Sequence, residues 1–288
     1  MSTKRVLVAV SGGVDSAVAV HLLRQQGYEV EGIILEFSPA HKAAVEQAKV
    51  VAEQLGIRLH IRECHREFEQ NVILPFCREY KAGRTPNPCI LCNPSTKFGL
   101  ICQAAKEMGF DFIATGHYAR IDHQADGTAV LQKSSCLERD QSYMLYRLSQ
   151  EQLAMLLLPL EGLEKPQVRE IARQLGLVCA DAPDSQEICW LPDRDYAAFT
   201  EQTLGKSEPG DFVSPDGTRA FCTTPSGSAS IWAWRWGIRS LSRRSTRSKT
   251  ASTLPAPGRN MPAGCCCLTA SSSPTPGSAP GRKPLPCW

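Results

Sequence analysis

Apolar and polar positions follow two periods along the first three fifths of the chain, and the switches between them mark out elements. Val6 to Val10 is a continuous apolar run that reads as a buried strand, and Val18, Leu22 and Leu23 then repeat at helical spacing through Ala17 to Gln26 until Gly27 stops the helix. Val30 to Leu35 predicts a second strand, Ala40 to Leu55 a helix closed by Gly56, and Arg58 to Ile61 a third strand. Helical spacing returns at Phe68, Val72, Phe76 and Tyr80, and again from Phe98 to Met108 before Gly109, which leads into a strand over Phe110 to Thr115. Two more helices are predicted at Gln150 to Leu157 and Lys165 to Leu175, the second with Pro166 in its first turn and Gly176 at its end. This alternation predicts an α/β fold: a Rossmann-like parallel sheet with helices on both faces and its ligand at the carboxyl ends of the strands.

Length adds room for a second unit, since 288 residues suit one large or two smaller domains. No charged-then-apolar leader opens the sequence and no apolar run approaches the ~20 residues of a membrane span, so a cytoplasmic protein without a membrane partner is expected. In that compartment the thirteen cysteines are expected reduced, with a few chemically employed. The net charge of +3 hides a division: residues 1–221 hold 23 basic and 29 acidic side chains, whereas the rest holds nine basic and no acidic ones. Any nucleic-acid surface on the first part must therefore be local.

Five stretches carry candidate chemistry. Ala9-Val10-Ser11-Gly12-Gly13-Val14-Asp15-Ser16 joins the first strand to the first helix; its glycines allow close backbone approach, and its hydroxyls and helix-start amides offer an anion cradle. A Walker loop would place Lys before the final hydroxyl, and here Asp15 stands there. In AGRTPNPCILCN, Ala82 to Asn93, the prolines, glycine and asparagines predict a constrained loop presenting Cys89 and Cys92. A lone CxxC can be half a zinc site, a redox dithiol or a buried pair, and no second ligand pair at zinc spacing accompanies it. Thr115-Gly116-His117-Tyr118 ends a strand with a glycine, His117 being a base or a structural histidine. Arg139 and Gln141, before an aromatic-rich run, could reach phosphates or base edges, and Asp184 to Trp190 sets Cys189 beside an aromatic residue.

Taken in order, SGGVDS, AGRTPNPCILCN, ATGHYARI, RDQSYMLY, LEKPQVREIA and DSQEICWL resemble the tRNA-specific 2-thiouridylases, the MnmA family of the ATP pyrophosphatase superfamily, from about Lys4 to about Thr218. The resemblance implies an adenine nucleotide alpha hydrolase-like domain that uses ATP, with Mg2+, to adenylate the C2 oxygen of the wobble uridine of tRNA and replace it with sulfur. The implied partners are tRNA and a sulfur-relay or cysteine desulfurase donor. By motif position, Cys92 is the nucleophile and Cys189 carries the persulfide. Ala9, Val10, Ser11, Gly12, Gly13, Val14, Asp15, Ser16, Leu35 and Gly116 fall on nucleotide positions, and Asn87, Pro88, Cys89, Arg139, Asp140 and Gln141 on tRNA positions. AMP makes the uracil oxygen a good leaving group, and a second thiol frees the transferred sulfur by forming a disulfide. Many family members carry Asp where this chain has Cys89. A lower-ranked alternative therefore has Cys89, Cys92 and Cys189 ligate an iron–sulfur cluster, as in related tRNA thiolases; the persulfide route needs no metal site. A non-catalytic remnant binding ATP or tRNA is the competing class, while the cysteine pair argues against a tRNA lysidine synthetase.

The resemblance implies a catalytic domain over residues 1–204, with a helical tRNA-binding extension at about 140–204, followed by the start of an incomplete β domain at 205–221. After Arg219 the likeness fails: residues 222–288 contain no Val, Phe, Tyr, Gln or His, hold four of the five Trp, and read as disordered. Cys222 to Gly237 can be back-translated so that skipping two bases yields HYTIGQRKHLGLALG, close to the family's YTIGQRKGLG, so a shifted reading frame is the economical expectation. The strand begun near Asp211 to Val213 is then expected to lack partners.

Overall fold

The computed structural model describes residues 3–183, 188–191, 195–206, 210–213 and 219–222. The chain divides into two compact units, Met1–Arg78 with Pro86–Asp195, and Glu79–Thr85 with Tyr196–Trp288. In chain order the first unit holds β1 (Arg5–Ala9), α1 (Val14–Gln25), β2 (Glu29–Glu36), α2 (Lys42–Leu55), β3 (Leu59–Glu63), α3 (His65–Phe68), α4 (Leu74–Lys81, its last turn assigned to the second unit), α5 (Pro88–Cys92), α6 (Phe98–Glu107), β4 (Phe112–Ala114), β5 (Arg120–His123), β6 (Ala129–Gln132), α7 (Gln150–Met155), β7 (Leu156–Leu157) and α8 (Lys165–Gln174). Wider π turns at Glu69–Ile73 and Asn93–Lys97 join α3 to α4 and α5 to α6.

Five strands form one parallel sheet in the order β3-β2-β1-β4-β7. β1 is central, pairing Val6 with both Val30 and Phe112, and Val6, Leu7 and Val8 have no exposed surface. A parallel sheet covered on both faces needs such an unbroken apolar run. Val6, Val8 and Val10 pack into one core with Ala17, Val18 and Val20 of α1, Val45, Ala48 and Val51 of α2, and Val168 and Ala172 of α8. Each buried valine among them stabilises the fold by about 1.5–3 kcal/mol before ordering costs, and each alanine by less. From β1 the chain runs outward to β2 and β3, then returns to place β4 on the other flank, so the order reverses between β1 and β4. In open α/β sheets that reversal opens a crevice at the strands' carboxyl ends.

Three sequence expectations change. Gln150 to Leu157 is not helical throughout: the helix stops at Met155, because Leu156 and Leu157 pair with Ile113 and Ala114 and add the fifth strand. A short apolar run fits either element, and an open sheet edge decides it. The hairpin β5–β6 is additional, turning at Asp126-Gly127 with Gly127 at φ +86°. The stretch around the paired cysteines is helix rather than loop: Asn87 caps α5 by accepting from the Cys89 N–H at 3.1 Å, and Pro88 takes the first-turn place where its missing N–H costs nothing.

In the second unit, Tyr196–Leu204 forms α9, where Tyr196 stacks on Tyr80 at 5.7 Å and the Leu204 carbonyl accepts from Lys81 Nζ at 3.2 Å. β8 (Gly210–Val213) pairs antiparallel with β9 (Arg219–Cys222). This corrects the expectation of an unpartnered strand, since the chain can fold back within a few residues and satisfy one edge of the ladder. The readings made for 223–288 and for Asp184 to Glu187 lie outside the described residues. No helix among the described residues is long and apolar enough to cross a membrane.

Candidate nucleotide and thiol site

The β1–α1 connection lies at the reversal of strand order. Ala9 ends β1, and Val10 N–H still donates to Ile33 O at 2.9 Å, so the backbone leaves the sheet in register. Gly12 turns it with φ +81°, where a Cβ would fall 2.9 Å from Gln47 Cγ and 3.0 Å from the Ala48 nitrogen of α2. Gly13 is the N-cap of α1, and Val14 begins the helix. The two hydroxyls fix the turn: Ser11 N–H donates to Ser16 Oγ at 3.2 Å, Ser16 Oγ donates to Gly13 O at 3.0 Å, and the two Oγ atoms are 3.3 Å apart. First-turn amides of a helix have no intrahelical acceptor, and the dipole of twelve-residue α1 adds positive potential there. The cradle thus suits a phosphate. Leu35 lies buried near the carboxyl end of the neighbouring β2.

Gly116 closes the cradle from the β4 side, where a Cβ would lie 2.7 Å from the Asp15 carbonyl carbon and 2.8 Å from Ser16 N. Two residues on, Tyr118 Oη donates to Asp15 Oδ1 at 2.8 Å, and Lys165 Nζ donates to both Asp15 oxygens at 2.8 and 2.7 Å. Tyr118 and Lys165 lie in ATGHYARI and LEKPQVREIA, but the sequence alone gives neither a role. One signal was available for Lys165: it is the first residue of α8, where the helix dipole disfavours a cation.

The same unit gathers the thiols. Cys92 is buried, Cys89 half-buried and Cys189 exposed, and all three are free thiols. Burial pushes the Cys92 thiol up to about 12; the Lys97 ammonium and the Lys97 N–H oppose this, while Cys189 and Cys89 add to it. Cys189 is also raised, by crowding around it and by Cys89, against Lys97; solvent reaches this thiol and tempers the effect. Each of the three thiols therefore lies within electrostatic reach of another, with Lys97 as the cation shared by Cys92 and Cys189. His117 keeps a partly open edge, yet its crowded surroundings and the Lys97 ammonium push it down to about 3. With Nδ1 2.8 Å from Thr115 Oγ1, it is a neutral, hydrogen-bonded imidazole.

A thiol titrating near 12 is protonated at neutral pH, with a thiolate fraction of about one in ten thousand at pH 8. Iodoacetamide is thus expected to label exposed Cys189 first, and Cys92 at a rate rising about tenfold per pH unit from 7 to 10. Peptide mapping by mass spectrometry measures both rates. A Cys92 rate flat over this range would contradict the assigned burial.

Asp140 and Gln141 hold their own loop. Asp140 Oδ1 accepts from Ser134 N at 2.8 Å and Oδ2 from Ser142 Oγ at 2.7 Å; Gln141 N–H donates to Tyr118 O at 2.8 Å, and its Oε1 accepts from Tyr118 N at 3.1 Å. Asn93 Nδ2, just past the cysteines, donates to Met144 O at 2.9 Å. The loop carrying Arg139 is thereby tied to both the glycine strand end and the cysteine turn, and it shows solvent Tyr143 and Tyr146, 57% and 64% exposed. Among the described residues, no three His, Cys, Asp or Glu side chains stand close enough together to hold a metal ion.

A family model described as the tRNA methyl transferase HUP domain matches residues 4–193. The tRNA-specific 2-thiouridylase MnmA of Pelobacter propionicus is 43% identical over 224 residues, 74% of this chain and 62% of that protein. Its counterpart in Syntrophotalea carbinolica is 45% identical over 227 residues, 75% and 63% of the two chains. The chain thus spans less than two thirds of the length of these curated relatives. Among solved structures, a 4-thiouridine synthetase–RNA complex with bound ATP is 18% identical, with a TM-score of 0.43 over 69% of this chain and 53% of that one.

Proposed function

The chain belongs to the tRNA methyl transferase HUP-domain family, that of the tRNA-specific 2-thiouridylases it matches, and from this we propose that it transfers sulfur to C2 of a tRNA wobble uridine using ATP. One observation carries the reading: a glycine-lined phosphate cradle and a group of three electrostatically coupled thiols occur in one compact unit. Nucleotide activation and sulfur delivery both need to meet at one base.

In this reading Ser11 to Ser16 hold phosphates through backbone N–H groups and hydroxyls, with Gly116 admitting them and Leu35 beside the adenosine. Bound ATP, with Mg2+ on its phosphates, supplies the leaving group. Cys189 carries the incoming sulfur as a persulfide from a relay protein or cysteine desulfurase, and the outer sulfur displaces AMP from C2. Cys92 then attacks Cys189 Sγ, so that a Cys92–Cys189 disulfide forms and the sulfur stays on the base. Residues 1–204 constitute the catalytic domain, with 140–204 as its tRNA-binding extension. Asn87, Pro88, Cys89 and Arg139 face the RNA, Asp140 and Gln141 brace their loop, and Tyr143 and Tyr146 are disposed for stacking on unpaired bases.

The loss of family likeness after Arg219 favours a second reading, a remnant that binds ATP or tRNA without catalysis. The test uses the full chain with ATP, unmodified tRNA and a persulfide donor, followed by nucleoside mass spectrometry. Low-level, ATP-dependent 2-thiouridine is expected. Its absence with ATP and tRNA binding retained would establish the remnant, and absence of ATP binding would overturn both readings.

A further inference from the structure

We infer that Lys165 is the positioning cation of the phosphate loop: reaching in from α8, it neutralises Asp15 and holds that carboxylate so that the cradle can accept a polyanion. The inference rests on the nucleotide reading above and deepens it. Asp15 occupies the place where a Walker loop carries its lysine, in the first turn of α1, beside the backbone positions that would receive phosphate. A bare carboxylate there would repel a triphosphate and cancel much of the helix-dipole field. The chain answers this from 150 residues away. Lys165 is only 7% exposed, and its ammonium donates to both carboxylate oxygens at 2.8 and 2.7 Å. Tyr118 donates to Oδ1 at 2.8 Å, from the segment whose Gly116 presses on the Asp15 backbone.

Local helix energetics do not explain a lysine at this place. As the first residue of α8 it opposes the helix dipole, and burying an ammonium is costly unless a partner satisfies it. The capping of α8 is done by Glu164 and Gln167. One partner that satisfies the ammonium is Asp15. The pair spans α8 and α1, which also share the apolar core through Val168, Ala172, Ala17 and Val18, so the ammonium is delivered on a fixed support.

The experiment compares the full chain with K165M, K165R, D15N and D15N/K165M, measuring ATP and adenosine affinities by calorimetry alongside thermal melting. K165M is expected to weaken ATP binding about 10- to 100-fold, because the half-buried Asp15 carboxylate is left without its cation beside the phosphates, and to weaken uncharged adenosine much less. K165R should retain most ATP affinity, and D15N/K165M should recover about tenfold over K165M, because the charge to be neutralised is gone. A purely structural role would lower ATP and adenosine affinity in parallel, and that result would overturn the inference. So would unchanged ATP affinity in K165M, or a D15N/K165M chain that folds yet binds ATP no better than K165M. If K165M fails to fold, K165R and D15N/K165M still decide the matter. Failure of the unaltered chain to bind ATP would remove the nucleotide reading itself, whereas binding by the unaltered chain with any of the overturning results removes only the role of Lys165.

Discussion

Replacing Gly116 by alanine is expected to weaken ATP binding about 5- to 150-fold, from a single added methyl group that touches no solvent-exposed surface patch. The new Cβ would lie 2.7 Å from the Asp15 carbonyl carbon and 2.8 Å from Ser16 N, and both are backbone atoms that no side-chain rotation can move aside. β4 cannot retreat, since Ile113 is shared by ladders to β1 and β7. Nor can α1 withdraw, with Ala17, Val18, Ala19 and Val20 fully buried behind the turn. The phosphate loop is the part left to give, at an overpacking cost of about 1–3 kcal/mol, which converts to that range in affinity. Gly12→Val should be harsher and abolish detectable binding, because it adds a β-branched side chain at φ +81° against Ala48 N at 3.0 Å. Calorimetry on the full-length variants, with melting curves to show that they fold, measures both. A folded Gly116→Ala chain with unaltered ATP affinity would mean the nucleotide does not use this cradle.

The second large effect concerns sulfur. Cys92→Ser or Cys189→Ser should remove 2-thiouridine formation altogether, a drop of at least about a thousandfold, since an alkoxide neither carries a persulfide nor closes a disulfide. Cys89→Ser should leave partial activity: its thiol is within reach of the other two charges, but the proposed transfer balances without it. ATP binding should survive in all three, because none of these residues lies in the cradle. Nucleoside mass spectrometry on the tRNA product separates the cases. Equal and complete loss for all three variants would assign Cys89 a necessary part, and the two-thiol scheme would fall.

How much of this could be read from the residues differs element by element. Val6 to Val10 declares itself because a strand buried on both faces must be apolar at successive positions, and Gly12-Gly13 after it could only be a turn of close approach. Leu156-Leu157 does not, because two leucines are compatible with a helix end and with a strand, and β4 alone chooses. Pro88 and the asparagines argued for a loop, yet those same residues are start signals for a helix: Asn as cap, Pro in the first turn. The identity of a breaker did not settle which side of a boundary it stands on. Lys165 was missed for a deeper reason. SGGVDS and LEKPQVREIA, 150 residues apart, do not reveal that they are joined by an ion pair, and its one local sign is a cation at the wrong end of a helix.

The π turn Asn93–Lys97 gives the cysteine motif its orientation. Pro94 cannot donate to the carbonyl four residues back and would collide with it in a tight turn, so the backbone widens there. A residue accommodated in this way turns everything downstream by about 100°. One continuous rod can then bury the Cys92 thiol upstream and the apolar seam of Phe98, Ile101 and Ala105 downstream, without a strict 3.6-residue rhythm linking the two. The portable unit is therefore longer than the four residues that bear the thiols: a graft of Cys89 to Cys92 onto another scaffold would need Asn93 to Lys97 as its phase adapter, or the sulfur would point elsewhere.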